Sequence, residues 1–138
     1  MSTEDTYTVR PYMSGADYER IKDWWEMKNP SIFTETTLPP LGVVVEINGS
    51  PAVALWCHLS VNIGVAFIEN AVSRPRLRLH KSTKAFGVAV HALESAAKDL
   101  HYGLFVCNVS PALARILQNR LGFEPAGKAD KQTLLKVL

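Results

Sequence analysis

The sequence predicts a mixed α/β domain whose central sheet is mostly antiparallel, with one parallel pair of strands and with helices on both faces. Two observations lead to this fold class. Three apolar, strand-like segments follow one another in the middle of the chain, which favours an antiparallel meander. A helical pattern, a strand, a capped helix and a last strand come next, which is the order of a βαβ unit. By size, the 138 residues form one domain that can bury its own hydrophobic core.

The chain begins with a strand followed by a helix. Residues 7–10 alternate in polarity and favour a strand, which Pro11 ends. Ser14 is placed to cap a helix that continues to about Met27. Its apolar positions recur at helical spacing, as is typical of a core-facing stripe: Tyr18, Ile21, Trp24 and Trp25. Residues 29–40 contain several prolines and indicate an irregular connection.

The meander contains a strong hairpin signal. Residues 42–47 and 52–59 are strand-like, and Asn48-Gly49 between them is a dipeptide that two-residue hairpin turns prefer. Residues 64–72 are predicted to form the third strand. Cys57 lies in this region and Cys107 in a later strand, and both positions are typical of buried free thiols in a reducing cytoplasm.

A basic stretch follows the third strand. Arg74, Arg76 and Arg78 alternate with other residues, and Lys81 and Lys84 follow closely. This cluster has two structural interpretations besides a functional one. It fits a solvated basic loop, and the alternation also fits a short edge strand with one wet face.

The second half contains two more helices. Ser82 or Thr83 can cap a helix that runs to about Leu100, where Gly103 stops it, and residues 104–107 follow as a strand.

The last third has a helix with a marked start and a marked stop. Ser110 is a good N-cap, and Pro111 occupies the first helical position, where no amide is needed. Gly122 fits the left-handed position just beyond the helix end. Residues 133–138 are predicted to form a final strand.

Composition excludes several classes of protein. The net charge of +2 is too small to favour a nucleic-acid partner, and few aromatic residues lie beside the basic stretch. No apolar run approaches the ~20 residues that span a bilayer, so no membrane association is expected. The polar, acidic first residues do not look like a signal peptide, and we expect a cytoplasmic protein.

The order of elements resembles the GNAT N-acetyltransferase superfamily over nearly the whole chain. Three segments carry the resemblance, and their order and spacing matter more than any one of them. They are Val9-Arg10-Pro11 with Asp17 and Ile21, the Asn48-Gly49 turn, and Ala114, Leu117 and Leu121-Gly122-Phe123 of the last helix. The resemblance implies one GNAT-like acetyltransferase domain over residues 1–138. Proteins of this type and size also occur in bacteriophage genomes.

The resemblance implies a site for acetyl coenzyme A (acetyl-CoA). In the family the fourth strand splays from the fifth, here residues 68–72 and 104–107, and the pantetheine arm bonds to exposed backbone in the gap. This implies contacts at Ala71 and Val72, and one to the cofactor amide from Asn108, which could equally bond local backbone. The pyrophosphate would rest at the start of the next helix, where unpaired amides attract an anion. The residues implied there are Arg78, Lys81, Ser82, Thr83 and Lys84.

One departure from the family concerns this phosphate loop. The family has an Arg or Gln followed by two spaced glycines, and here Lys81 and Thr83 replace the glycines. A β-carbon hinders close approach of the backbone to phosphate. Either side-chain charge from Arg78, Lys81 and Lys84 holds the phosphates, or the cofactor site is degenerate.

The resemblance also implies a general base on the fourth strand. Glu69 is the carboxylate there and is the candidate catalytic residue, which burial in its apolar setting would make a stronger base. Glu46 and His58 on neighbouring strands are weaker candidates.

The proton donor of the family is often a tyrosine in the last helix, and Gln118 stands at that position. Glutamine cannot give up a proton, so Ser110, Tyr102 or a water would have to replace it.

Two functions follow from these residues. The first is an acyl-CoA-dependent N-acetyltransferase acting on a small-molecule or protein amine acceptor. The second is a non-catalytic binding or structural protein on the same fold, with a lapsed cofactor site. No metal site is expected, because the Cys and His residues lack ligand spacing. An exposed Trp24 or Trp25 would favour a homodimer or another partner surface.

Overall fold

The computed structural model describes residues 4–28, 35, 38–61, 63–109, 111–125 and 132–138. It confirms the predicted mixed α/β class, with three helices and seven strands in the described residues. In chain order these are β1 (Tyr7–Pro11), α1 (Ala16–Lys28), β2 (Leu41–Ile47), β3 (Ser50–Leu59), β4 (Val65–Ser73), α2 (Leu79–Asp99), β5 (Leu104–Val109), α3 (Pro111–Leu121), β6 (Glu124–Pro125) and β7 (Gln132–Val137).

The strands form one sheet in the order β1-β2-β3-β4-β5-β7-β6. All neighbours are antiparallel except β4 and β5, which are the predicted parallel pair. The β2–β3 hairpin turns at Asn48 and Gly49, whose φ angles of 53° and 81° match a type I′ turn. This confirms the hairpin predicted from the dipeptide.

Helices cover both faces of the sheet and produce two cores. On one face, α2 and α3 pack over the sheet, and Leu55, Leu93 and Phe105 are fully buried between them. On the other face, Ile21 of α1 packs with Trp56 of β3. Each large apolar side chain buried in this way contributes about 2–3 kcal/mol to the free energy of folding.

The core between α1 and the sheet, which we call the α1-side core, contains one of the two tryptophans that could have formed a partner surface. Trp24 is buried, so it supports no dimer or partner surface. The side chain of Trp25 lies outside the described residues.

The start of α1 differs from the prediction that Ser14 caps it. The Ser14 hydroxyl donates to Oε1 of Glu35 at 2.8 Å, and the Gly15 amide donates to the same oxygen at 2.7 Å. A carboxylate from the segment after the helix therefore accepts the hydrogen bonds at this end. It replaces a local cap because it can accept several donors at once.

The start of α2 also differs from the prediction. The helix begins at Leu79, with Arg78 as its N-cap residue and no side-chain cap bond among the described residues. Ser82 instead donates its hydroxyl to the Leu79 carbonyl at 3.0 Å. The predictions that Ser82 or Thr83 caps the helix, and that this stretch forms an edge strand, are therefore wrong.

The end of α3 agrees with the sequence. Pro111 is its first residue, and Gly122 follows it with a φ of 73°. Ser110, the predicted N-cap, lies outside the described residues. Within the described part of the chain, none of the helices has the length and apolar character needed to cross a bilayer.

Candidate functional site

The two parallel strands at the centre of the sheet separate along their length. The register between β4 and β5 runs from Val65 opposite Leu104 to Ile68 opposite Cys107, and no later pair is formed. Yet β4 continues to Ser73 on β3, and β5 continues along β7. Beyond Ile68 and Cys107 the two strands make no further pair with each other among the described residues, and we call this gap the wedge.

A β-bulge lies in the part of β4 that borders the wedge. The register jumps between Trp56 opposite Glu69 and Ala54 opposite Val72, which leaves Asn70 and Ala71 opposite a single residue of β3. Such a bulge bends a strand and raises its twist. Here it lies where β4 turns away from β5, so it is a local cause of the separation. Ala71 is exposed and Val72 is buried.

A tight turn directly follows β4. The Leu77 amide donates to the Arg74 carbonyl at 3.3 Å, with Pro75 and Arg76 at the centre of the turn. Arg76 has a φ of 65°, which fits a type II turn but is a conformation normally given to glycine. Arg74 is anchored to the β2–β3 hairpin, where it donates to Ser50 Oγ at 2.9 Å and to the Pro51 carbonyl at 3.0 Å.

The first turn of α2 follows directly and offers donors to an anion. Helix geometry leaves the amides of Leu79 and His80 without intrahelical acceptors, and the positive end of the helix dipole lies there. The amide of Ser82 donates to the Arg78 carbonyl at 2.9 Å, and those of Thr83 and Lys84 lie inside the helix. The useful backbone donors therefore come earlier than residues 81–84, where we expected them.

The cations of the basic stretch divide into two groups. Arg76 and Arg78 are exposed and make no side-chain bond to a described residue. Lys81 is 3.1 Å from Asp5, and the ammonium of Lys84 lies 4.6 Å from the centre of the Tyr7 ring. Both lysines expected to hold phosphate are thus engaged by the N-terminal segment.

A groove extends from this region across the outer surface of α2. Its volume is about 470 Å³, within the usual range for small-molecule sites. Gly87 forms part of its floor, and the remaining contributors include Thr83 and Lys84 of α2 and Ile116, Arg120 and Leu121 of α3.

Comparisons with known proteins agree with this geometry. No protein-family model matches the chain, and a search of curated protein sequences finds no match. Many solved structures do match. A GCN5-related N-acetyltransferase from Kribbella flavida has a TM-score of 0.77 at 12% identity, covering 96% of this chain and 98% of that one. The chain has the GNAT fold.

Two further neighbours illustrate the range of the GNAT fold. The aminoglycoside 6′-N-acetyltransferase of Enterococcus faecium has a TM-score of 0.73 at 9% identity, with 94% of this chain and 96% of that one covered. The N-acetylglutamate synthase of Neisseria gonorrhoeae, solved with coenzyme A and N-acetyl-glutamate, has a TM-score of 0.70 at 10% identity. That match covers 99% of this chain and 36% of the synthase.

The backbone of the candidate base, Glu69, lies beside the wedge. Glu69 is the residue after the last β4–β5 pair and lies opposite Trp56 of β3. The side chains of Glu69 and Asn108 lie outside the described residues.

The weaker candidates for the general base are Glu46 and His58, and both contact other residues. Glu46 lies 3.5 Å from Nε of Arg10. His58 is exposed, and its ring centre lies 6.4 Å from that of Phe67.

Tyr102 is not placed to replace the missing tyrosine of the GNAT fold. Its hydroxyl donates to the Ser60 carbonyl at 2.7 Å, at the start of β5. The wedge opens beyond Cys107, about 10 Å further along the strand. Gln118 lies on α3 as the sequence indicated, and Ser110 lies outside the described residues.

The two cysteines line the core and not the wedge. Cys57 and Cys107 flank Ile68 in the register of neighbouring strands, and both are buried free thiols. Burial raises the pKa of Cys107 to about 12. Neither is therefore suited to act as a nucleophile.

Sequence reasoning missed two groups near the site. The sequence shows Asp5 only as part of an acidic start, and its ion pair with Lys81 has no local signal. Tyr12 packs edge-on against Trp56, with ring centres 5.1 Å apart, and donates to Glu35. The signal that could have indicated this cluster is Gly42, which lies opposite Trp56 and leaves room for its indole.

Proposed function

We propose that the protein is an acyl-CoA-dependent N-acetyltransferase that transfers an acetyl group from acetyl-CoA to an amine. The wedge between β4 and β5 is the observation that carries this proposal. At the centre of the sheet it leaves strand edges that do not pair with each other within the described residues. The start of α2, which has no side-chain cap bond, follows with the exposed Arg76 and Arg78. The Neisseria gonorrhoeae synthase, of which the match covers 36%, was solved in complex with coenzyme A.

The residues present fit acetyl-CoA, except that side-chain charge replaces some of the backbone contacts to phosphate. Backbone at Ala71 and Val72 borders the wedge and would bond the pantetheine arm, and Asn108 would bond its amide from β5. The amides of Leu79 and His80, together with Arg78, would hold the pyrophosphate. Because Lys81 and Thr83 replace glycines, side-chain charge takes over part of what backbone amides supply in the family.

The far end of the cofactor would follow the groove on α2. Thr83 and Lys84 belong both to the start of α2 and to the groove, so a ligand held at the first turn can continue along it. Gly87 gives a flat floor suited to a purine, and Arg120 places a cation at its α3 side.

The bound cofactor supplies an activated acetyl group as a thioester. Glu69 is assigned as the base that takes a proton from the attacking amine, directly or through a water. Direct transfer is favoured over an acyl-enzyme, because the raised pKa and burial of Cys107 leave no thiolate at the wedge. A water or Ser110 is left to return a proton to the departing thiolate, since Tyr102 is bonded elsewhere.

A thermal melt with and without acetyl-CoA tests the binding step. Ligand at ~100 times its dissociation constant adds about 2.7 kcal/mol, or roughly 10 °C in a domain of this size. Arg78→Ala should reduce the shift. Arg20→Ala removes the same charge from exposed α1 on the opposite face and should not. Release of coenzyme A thiol over a panel of small amines and peptides would then identify the acceptor class.

Two observations favour a second function, a non-catalytic binding protein on this fold. Lys81 and Lys84 are both engaged within the chain, and Gln118 stands where the family has its donor. Absence of any shift at millimolar acetyl-CoA would contradict the transferase proposal and favour this alternative.

A further inference from the structure

The N-terminal segment places a carboxylate against the proposed phosphate site. We infer that Asp5 is an internal competitor of the cofactor, which occupies Lys81 and must give up that ammonium when the pyrophosphate binds. The inference rests on the proposed function and adds a regulatory contact to the same site.

The contact between Asp5 and Lys81 is held in place by further hydrogen bonds. The Asp5 carboxylate accepts from Asn48 Nδ2 at 2.9 Å and lies 3.1 Å from Lys81 Nζ. The next residue is fixed on both sides, because the Thr6 amide donates to Asn48 Oδ1 at 2.8 Å and the Asn48 amide donates to the Thr6 carbonyl at 2.8 Å. The hairpin turn therefore aims Asp5 at the helix.

The charges of Asp5 and Lys81 are consistent with the Asp5 carboxylate occupying the place of an external anion beside Lys81. Hydrogen bonds from Asn48 and then Lys81 lower the pKa of Asp5, so its carboxylate is charged at neutral pH. Both partners are about one-third exposed, at 31% each, so a solute can reach them. A second contact ties the same segment to the same helix, through Tyr7 under Lys84.

The competition follows from the position of Lys81. It lies in the first turn of α2, where the family has a glycine and where the phosphates would rest. One ammonium cannot fully neutralise both a carboxylate and a phosphate, and the two anions repel each other. Binding then costs the Asp5–Lys81 contact, and removing the carboxylate should strengthen binding.

Asp5→Asn tests this with little change of shape. The new side chain keeps an oxygen for Asn48 and loses only the charge. Calorimetry at low ionic strength should show acetyl-CoA and inorganic pyrophosphate bound about two- to fivefold more tightly, the range that exposed ion pairs are worth. The gain should shrink as salt is added.

Two further variants distinguish the effect of the Asp5–Lys81 contact from that of a general change in the protein's net charge. Glu4→Gln removes the same charge one residue earlier, and Glu4 is exposed and pairs with no described residue, so affinity should change by less than about 1.5-fold. In a Lys81→Met background, Asp5→Asn should strengthen binding less, because the ammonium for which the two anions compete is gone and only their mutual repulsion remains.

The outcomes distinguish this inference from the proposed function. Tighter binding in Asp5→Asn but not in Glu4→Gln, with a smaller gain in the Lys81→Met background, supports both. An undiminished gain in the Lys81→Met background overturns the inference. Equal binding by wild type and Asp5→Asn, or an equal gain in Glu4→Gln, overturns the inference while the cofactor site stands. No binding of acetyl-CoA by any of the variants overturns both.

Discussion

Arg10 holds the Asp17 carboxylate with both ends of its guanidinium, since Nη1 and Nη2 donate to Oδ2 and Oδ1 at 2.7 Å each. The same carboxylate accepts the Met13 amide at 2.7 Å, and it is almost fully buried. One side chain thus joins β1, the connection and α1. This pair is the Arg and Asp of the opening segment that resembles the family.

Asp17→Asn should reduce the free energy of unfolding by about 2–3 kcal/mol, because it removes a buried, charge-assisted pair. The hydrogen bonds of Arg10 lower the pKa of Asp17 below its ordinary value of about 3.9. The stabilisation is therefore complete above about pH 4 and is lost as the pH falls through the folded-state pKa. Urea titrations from pH 7 to pH 3 check this. The variant should lose less stability over that range, and an equally steep loss would contradict the assignment.

Gly42→Ala should destabilise the α1-side core. A β-carbon at this position would collide with the indole of Trp56, which is fully buried and cannot move aside freely. Overpacking of this kind costs about 1–3 kcal/mol. Gly103→Ala is the control, since a β-carbon there meets nothing within 4 Å. Similar midpoints for the two variants in denaturant would show that the Trp56 contact does not constrain position 42.

Arg76→Gly should stabilise the protein by about 0.5–1 kcal/mol. A left-handed conformation costs an L-residue about 1–2 kcal/mol, part of which the greater entropy of unfolded glycine offsets. Arg76→Ala loses the same charge but keeps the unfavourable φ of 65°, so its stability should stay near that of wild type. If the alanine variant gains as much as the glycine variant, charge repulsion and not backbone strain is the cause. Differential scanning calorimetry of both variants decides this.

The two thiols should be unreactive in the folded protein. Cys57 and Cys107 are buried, and the pKa of Cys107 is raised to about 12 by burial. A chromogenic disulfide reagent should therefore report neither thiol at pH 8 and both in guanidinium chloride. Prompt reaction of either thiol without denaturant would contradict the described packing. The same result determines whether thiol release can be used to follow acetyl transfer without background.

Local chemistry made much of the fold predictable. Asn48-Gly49 dictates its turn through the φ angles it tolerates, and Pro111 and Gly122 mark the ends of α3 for the same kind of reason. The parallel pair followed from the order of strands and helices. These features depend on residues close together in the sequence.

The errors arose where a distant residue replaced a local signal. Ser14 has the pattern of a cap, but the carboxylate that accepts at that helix start comes from Glu35. Ser82 and Thr83 also fit the pattern, although α2 starts earlier without a side-chain cap. The partner of Lys81 is Asp5, near the start of the sequence, and no periodicity predicts such a contact.

The bulge in β4 has a consequence for spectroscopy. Ile68 and Val72 would share a face in a regular strand, yet Ile68 belongs to the α2-side core and Val72 to the core around Trp56. Both cores therefore share the strand that a ligand in the wedge would touch. We therefore expect the emission of Trp56, one of three tryptophans in the chain, to change when a ligand binds between β4 and β5.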